Sequence, residues 1–265
     1  MSNKVDLYNS TYGNFQEQVL AEIRRETFGE DIGQNSWITT DEYDSFYGWL
    51  GLSPGDHVLE VASGSGGPAL YLARKFQCQI TGIDINEDGI KTASRQALEA
   101  GIPNARFQLV NVDQGLPFKD GSFDTVMCMD SMNHFRNRLE YLQEWHRVLK
   151  DGRRALFTDP VVLTGPVSNE ELAARSNIGF FLFVPLEVTQ KLIREAGFKL
   201  IRCEDVTENI EKISQRWHAS RLKYRDDLVK IEGQERFEGL QTFFATVHKL
   251  TSERRLSRFV FLVEK

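Results

Sequence analysis

The sequence predicts an α/β fold: a seven-stranded, doubly wound sheet whose last strand is antiparallel, with an N-terminal helical cap and a helical insertion before the final strand. Three observations predict it. From Val58 onward short apolar runs alternate with amphipathic helical segments, the rhythm of parallel strands covered on both faces. Glycine, proline and Asp-Gly pairs punctuate the boundaries. The alternation then gives way to a long helical stretch, after which one more apolar run, RFVFLVEK, stands at 258–265.

The elements follow in order. Residues 1–52 have helical periodicity with Tyr8, Tyr12, Phe15 and Phe28, and finish in GQNSWITTDEYDSFYGWLGL, where Thr39 or Thr40 can cap a helix starting near Asp41. Ser53-Pro54-Gly55 links this cap to a core at 53–160. Strands are expected at 57–62, 79–84, 106–111, 123–130 and 154–160, and helices at about 68–76, 86–100 and 138–149. Gly101 and Pro103 stop the second helix, and Lys150-Asp151-Gly152 turns the third into its strand. Residues 161–186 hold little strand pattern but a dense apolar patch, IGFFLFVP, expected to be a substrate lid. The rest of the sheet follows in 187–265. It comprises a helix at 187–196, a strand at 198–206, a helical insertion at about 208–251 broken near Gly233 and Gly239, and the last strand.

Composition excludes several classes. With 32 basic and 38 acidic residues the formal charge is −6, and the basic residues are scattered; no nucleic acid is expected as a partner. No apolar run approaches a membrane span, and MSNKVDLYNS lacks the apolar core of a signal peptide. A soluble, cytoplasmic protein, monomer or homodimer, is expected. Cys78, Cys128 and Cys203 sit in or beside strand-like runs without CxxC spacing and read as small thiols in a reducing compartment. The five histidines show no metal-binding pattern, so no metal is expected.

The chemistry concentrates in Ala62-Ser63-Gly64-Ser65-Gly66-Gly67, directly after a strand and before a helix. Small residues there let backbone amides approach a ligand, although any α/β protein can use such a turn. The dinucleotide spacing GxGxxG does not fit, and no GKS or GKT follows. At the end of the next strand, about 20 residues on, stands Asp84. A carboxylate in that place accepts hydrogen bonds from both hydroxyls of an adenosine ribose, or caps the helix beginning near Asn86. Turn and acid together point to an adenosine ligand.

Here the sequence resembles the class I S-adenosylmethionine-dependent methyltransferases with a Rossmann-like fold, in particular the small-molecule, type 11-like group. The resemblance rests on VLEVASGSGG, GIDIN, LPFKDGSFD and EWHRVLKDGRRALFTDP, and spans roughly residues 34–204 and the last strand. It implies S-adenosyl-L-methionine as cofactor, S-adenosyl-L-homocysteine as product and a small-molecule methyl acceptor. Cofactor contacts are implied at Glu60, Ala62, Ser63, Gly64, Gly66, Asp84, Ile85, Asp113 and Asp130. Three positions depart from the family pattern: Ala62 replaces its usual glycine, Glu60 replaces an aspartate and should still reach the loop backbone, and the adenine acid is Asp113, one residue late, with Val112 in the usual place. By the same resemblance GQNSW, residues 33–37, closes over the methionine portion of the cofactor.

Methyl transfer from a sulfonium is an in-line displacement, which rewards orientation and exclusion of water. Trp37, Phe180, Phe181 and Phe183 lie outside the βαβ pattern and are expected to line the substrate pocket. After the fourth strand the resemblance places Asn133 and His134 beside donor and acceptor, His134 as a base or an acceptor-orienting group. Tyr8 and Tyr12 can reach the site from the first helix. The insertion, with Trp217, His218, Arg221, Tyr224 and Arg225, reads as a substrate cover, an oligomer surface or a solvated helix. Two other functions stay open: a non-catalytic adenosine-nucleotide-binding regulator, and an NAD-dependent oxidoreductase.

Overall fold

The computed structural model describes residues 7–265; residues 1–6, where the expected N-terminal cap begins, lie outside the described residues. One sheet organises the chain. Its strands are β1 (His57–Val61), β2 (Gln79–Asp84), β3 (Ala105–Leu109), β4 (Phe123–Cys128), β5 (Leu149–Leu163), β6 (Val184–Pro185), β7 (Lys199–Asp205) and β8 (Leu256–Glu264). The order is β3-β2-β1-β4-β5-β8-β7, with the two-residue β6 beside β5. β1 to β5 pair in parallel, and β8 runs antiparallel to both neighbours. The seven-strand path matches the sequence expectation, and the short β6 is an addition to it.

The helices are α1 (Tyr8–Gly13), α2 (Gln18–Phe28), α3 (Thr40–Leu50), α4 (Gly67–Phe76), α5 (Glu87–Glu99), α6 (Arg138–Val148), α7 (Asn169–Arg175), α8 (Leu186–Glu195), α9 (Thr207–Lys223), α10 (Arg225–Glu232) and α11 (Gln234–Ser252). Period-2 alternation sends Leu59, Val61, Val126 and Cys128 to one face, against Leu142 and Trp145 of α6 and Ile193 of α8. Val58, Ile80 and Met127 face the other way, onto Tyr43 and Tyr47 of α3 and Leu70 and Ala73 of α4.

Local chemistry fixes the ends. The Asn86 side chain accepts the Gly89 N–H at 2.8 Å and starts α5, and Ser168 and Glu171 form a reciprocal capping box on α7. Thr39 occupies the N-cap position of α3, but its side chain makes no capping bond. The insertion breaks at Tyr224 and Gly233; Gly239, expected to break it, lies inside α11. Glycine there costs about 1 kcal/mol against alanine, and burial of Phe237, Leu240, Phe243 and Phe244 on the same helix outweighs that. A third core joins α2 and Trp37 to α9, α10 and α11, so the N-terminal helices and the insertion pack together as one helical layer.

Candidate active site and cofactor cleft

Three adjoining spaces lie beside the carboxyl ends of β1, β2 and β4, and Tyr8 lines all of them. The largest, about 340 Å³, runs past Ala62, Asp84, Ile85, Asn111, Asp113, Phe135 and Tyr141. A chamber of about 50 Å³ lies among Asn35, Ser36, Glu60, Ser63, Gly64 and Asp130. A third, about 30 Å³, is enclosed by Trp37, Asn133, His134, Arg175, Phe181, Trp217, Phe243 and Phe244.

The turn after β1 is strained where the sequence departs from glycine: Ala62 has φ of 60°, a left-handed conformation costing about 1–2 kcal/mol for a residue with a Cβ. Gly67 has no room for a side chain, because a Cβ would collide with the Ile32 carbonyl oxygen. The loop from Ile32 is thereby pressed on the turn, and Ser65 Oγ donates to the Gly33 carbonyl at 3.0 Å. Gly66 has φ of 79°, a Cβ added to it would meet Ala93 and Phe107, and it lines none of the three spaces.

Asp84 accepts the Gly64 N–H and the Asn86 N–H, each at 2.8 Å, so it braces the turn and also faces the large cavity. Burial raises its pKa against the pull of those amides. Glu60 does not reach the loop backbone as expected: its Oε2 is buried without a hydrogen-bond partner, as is Ser63 Oγ. Burial first, and the Asp84 charge second, push the Glu60 carboxyl up to about 8.

Asp130 lines both smaller chambers, but its oxygens are engaged. Oδ2 accepts the Trp37 N–H at 2.8 Å, while Oδ1 accepts Thr158 Oγ–H at 2.8 Å and Arg258 Nε–H at 2.7 Å. Arg258, buried in β8, also donates to Glu42 at 2.7 Å. This network ties the Trp37 loop to the sheet. Asp113 lines the large cavity, with its carboxylate accepting the Tyr141 hydroxyl.

His134 is hydrogen-bonded at both nitrogens, to the Phe180 carbonyl oxygen at 2.9 Å through Nδ1 and to Tyr8 Oη at 2.9 Å through Nε2. A carbonyl only accepts, so Nδ1 carries the proton and Nε2 accepts from Tyr8. Burial lowers the ring's pKa to about 4, with Arg175 adding to the effect. Asn133 is 1% exposed, and neither Oδ1 nor Nδ2 has a partner.

Of the four expected pocket aromatics, Trp37 and Phe181 line the third chamber. Phe180 lines the large cavity instead, and Phe183 lines none of the three, stacking on Phe181 with ring centroids 6.0 Å apart. Tyr12 lines the two cofactor-side spaces. Trp217 is the one residue of the five named in the insertion that enters a chamber; sequence reasoning missed Arg175, Phe243, Phe244, Asn111 and Tyr141.

A family model described as a methyltransferase domain matches residues 58–152. The chain is 29% identical to 27-O-demethylrifamycin SV methyltransferase of Amycolatopsis mediterranei (strain S699), over 71% of this chain and 74% of that protein. It is 33% identical to O-methyltransferase resE of Aspergillus sclerotiorum over 62% of each. Residues 58–152 thus carry a methyltransferase domain of the S-adenosylmethionine-dependent kind. In fold, this methyltransferase is similar to Haemonchus contortus phosphoethanolamine N-methyltransferase 2 in complex with phosphomonomethylethanolamine and S-adenosylhomocysteine. The TM-score is 0.81 at 18% identity, covering 97% of this chain and 59% of that one.

The family's cofactor is S-adenosylmethionine, and the donor set fits it. The adenosine end calls for a carboxylate at the end of β2 with a broad cavity behind it, as at Asp84. The amino-acid end calls for polar groups in a narrow space, where Glu60 Oε2 and Ser63 Oγ are buried and unpartnered. Among the described residues no group of three or more His, Cys, Asp or Glu side chains could hold a metal ion, and no helix is long and apolar enough to cross a membrane.

Proposed function

We propose that this methyltransferase transfers a methyl group to N, O or C of a small-molecule acceptor held in the chamber of Trp37, Asn133, His134 and Phe181. One observation carries the reading: an adenosine-sized cavity, a narrow polar chamber and an aromatic chamber adjoin, sharing Tyr8 as a common wall. A regulator that only bound adenosine compounds would need the first two alone, and the glycine spacing fits neither NAD nor a pyrophosphate.

When bound, S-adenosylmethionine supplies a methyl group on a positively charged sulfur, open to in-line attack. The residues then have separable tasks. Asp84, Ile85 and Asp113 hold the adenosine, while Glu60, Ser63 and the amides of the turn hold the amino-acid end. Asp130 acts through structure: by gripping the Trp37 amide and Arg258 it fixes the wall between methyl source and acceptor. Orientation of this kind lowers a barrier by up to roughly 7–11 kcal/mol. Trp37, Phe181, Trp217 and Phe244 exclude water.

His134 is the orienting group, not the base. A ring with a pKa of about 4 stays neutral at pH 7 and holds a proton poorly, whereas its Nε2 fixes the Tyr8 hydroxyl that faces all three spaces. An acceptor with a free electron pair, such as a neutral amine, needs no more. The acidic composition and scattered basic residues support a diffusible acceptor over nucleic acid, and the three free thiols fit a reducing, cytoplasmic setting. Calorimetric titration with S-adenosylhomocysteine, followed by radiolabelled methyl transfer into a panel of small acceptors, tests the reading; absence of binding overturns it.

A further inference from the structure

We propose that Arg175 receives a carboxylate of the methyl acceptor, an inference that rests on the methyl-transfer reading and names the substrate class for the same chamber. Arg175 is the last residue of α7 and is 1% exposed. Its Nη1 and Nη2 are buried without a hydrogen-bond partner. The guanidinium lies 4.8 Å from the Phe181 ring centroid, 5.0 Å from Phe243 and 5.9 Å from Trp37, so three rings fix its plane and direction at the chamber wall.

A buried cation with five donors and no acceptor is held at a cost unless something completes it. The neighbouring acids are already committed. Asp159 accepts from Arg138 at 2.6 Å, and Asp130 from Arg258 at 2.7 Å. The missing partner is therefore a ligand, and the chamber specifies its charge. Arg175 is the one arginine or lysine among its lining residues, and His134 there is neutral. One cation matches a monoanion. The planar fork of a guanidinium matches the two oxygens of a carboxylate, and the Asn133 side-chain amide, unpartnered in the same wall, supplies a further donor. A phosphate dianion would call for a second cation. With the carboxylate on Arg175, the rest of a small acceptor extends toward Tyr8 and His134.

The test uses the full chain saturated with S-adenosylhomocysteine, so that the cofactor's own carboxylate site is filled. Acetate and propionate are titrated against acetamide and propionamide by calorimetry and by tryptophan fluorescence, since Trp37 and Trp217 line the chamber. The carboxylates should bind at least about tenfold more tightly than the amides. Arg175→Met should abolish the preference and Arg175→Lys keep part of it, with S-adenosylhomocysteine binding unchanged in both. Three results overturn the assignment: equal binding of acid and amide by the unsubstituted protein, a preference that survives Arg175→Met, or inorganic phosphate binding more tightly than acetate. The comparison of acid with amide needs no variant and so does not depend on Arg175→Met folding. Failure to bind S-adenosylhomocysteine would instead remove the methyl-transfer reading itself.

Discussion

Replacing Glu60 by glutamine should uncouple cofactor binding from proton release. Glu60 is 6% exposed, its Oε2 has no partner, and its pKa stands at about 8, raised by burial and then by Asp84. At pH 7 a group with that pKa is protonated in roughly nine molecules of ten. A ligand ammonium in the chamber favours the carboxylate, so binding of S-adenosylhomocysteine should expel about 0.9 proton per site at pH 7 and about 0.5 at pH 8. The affinity should rise with pH by close to tenfold per unit around pH 6 to 7 and then flatten. Calorimetry in two buffers of different ionisation enthalpy reads the proton count directly. Glu60→Gln keeps size and neutrality but cannot ionise, so its count should drop toward zero and its affinity become nearly flat across the same range.

The same group governs the stability of the free protein. Its folded-state pKa lies above the ordinary 4.5, so its contribution is fully present below pH 4.5 and is lost as pH rises through 8. The slope within that window is about −1.4 kcal/mol per pH unit. Urea unfolding of the ligand-free chain at pH 5.5, 6.5 and 7.5 should show this decline, and Glu60→Gln should lessen it. Equal proton counts and equal slopes in the two proteins would refute the argument that an isolated, buried carboxyl waits at the amino-acid end of the cleft.

Three further outcomes follow from the geometry. Asp84→Ala removes an acceptor from two backbone amides, each bond being worth about 1 kcal/mol net; affinity for S-adenosylhomocysteine should fall at least about tenfold by calorimetry, and an unchanged affinity would refute the ribose role. His134→Gln should lower kcat while leaving cofactor affinity intact, and the unsubstituted enzyme should show no His134 titration between pH 6 and 8, because that pKa is about 4; a rate limb near pH 6.5 that vanishes in His134→Gln would restore the base role. Arg258→Met strands Asp130 and Glu42 together in the interior, at a cost of about 3–5 kcal/mol, and a urea-unfolding loss under 1 kcal/mol would show that the network contributes little.

Most of the fold was legible because burial writes itself locally. The runs at β1, β2 and β4 are buried on both faces, and Gly101 and Gly197, just past α5 and α8, have positive φ. Gly152, expected to turn α6 into its strand, also has positive φ but lies inside β5, which already begins at Leu149. Gly239 misled because a glycine signal is local, whereas the packing of α11 under the aromatic layer is not. Thr39 illustrates the same limit: its place in the sequence marks a cap, yet its side chain makes no capping bond.

The cofactor side was legible for a similar reason. The turn and Asp84 are close in sequence and adjacent in the sheet, since β1 and β2 are paired in register from His57 and Gln79 onward. What escaped is everything whose meaning depends on distant partners. Asp130 looks like a free ligand in sequence, but Arg258, 128 positions away, and the Trp37 amide claim its oxygens. Arg175 is the converse case. Nothing local to LAARSNIGFF singles it out, because nothing there shows that Trp37 from the N-terminal loop and Phe243 from the insertion fold over it. A charged side chain reveals a binding role only once its possible partners are counted, and that count is a property of the tertiary structure. Asp130 and Arg175 line the same chamber and differ in what the fold supplies them: the acid is hydrogen-bonded by protein, and the Nη1 and Nη2 of the base are left without a partner.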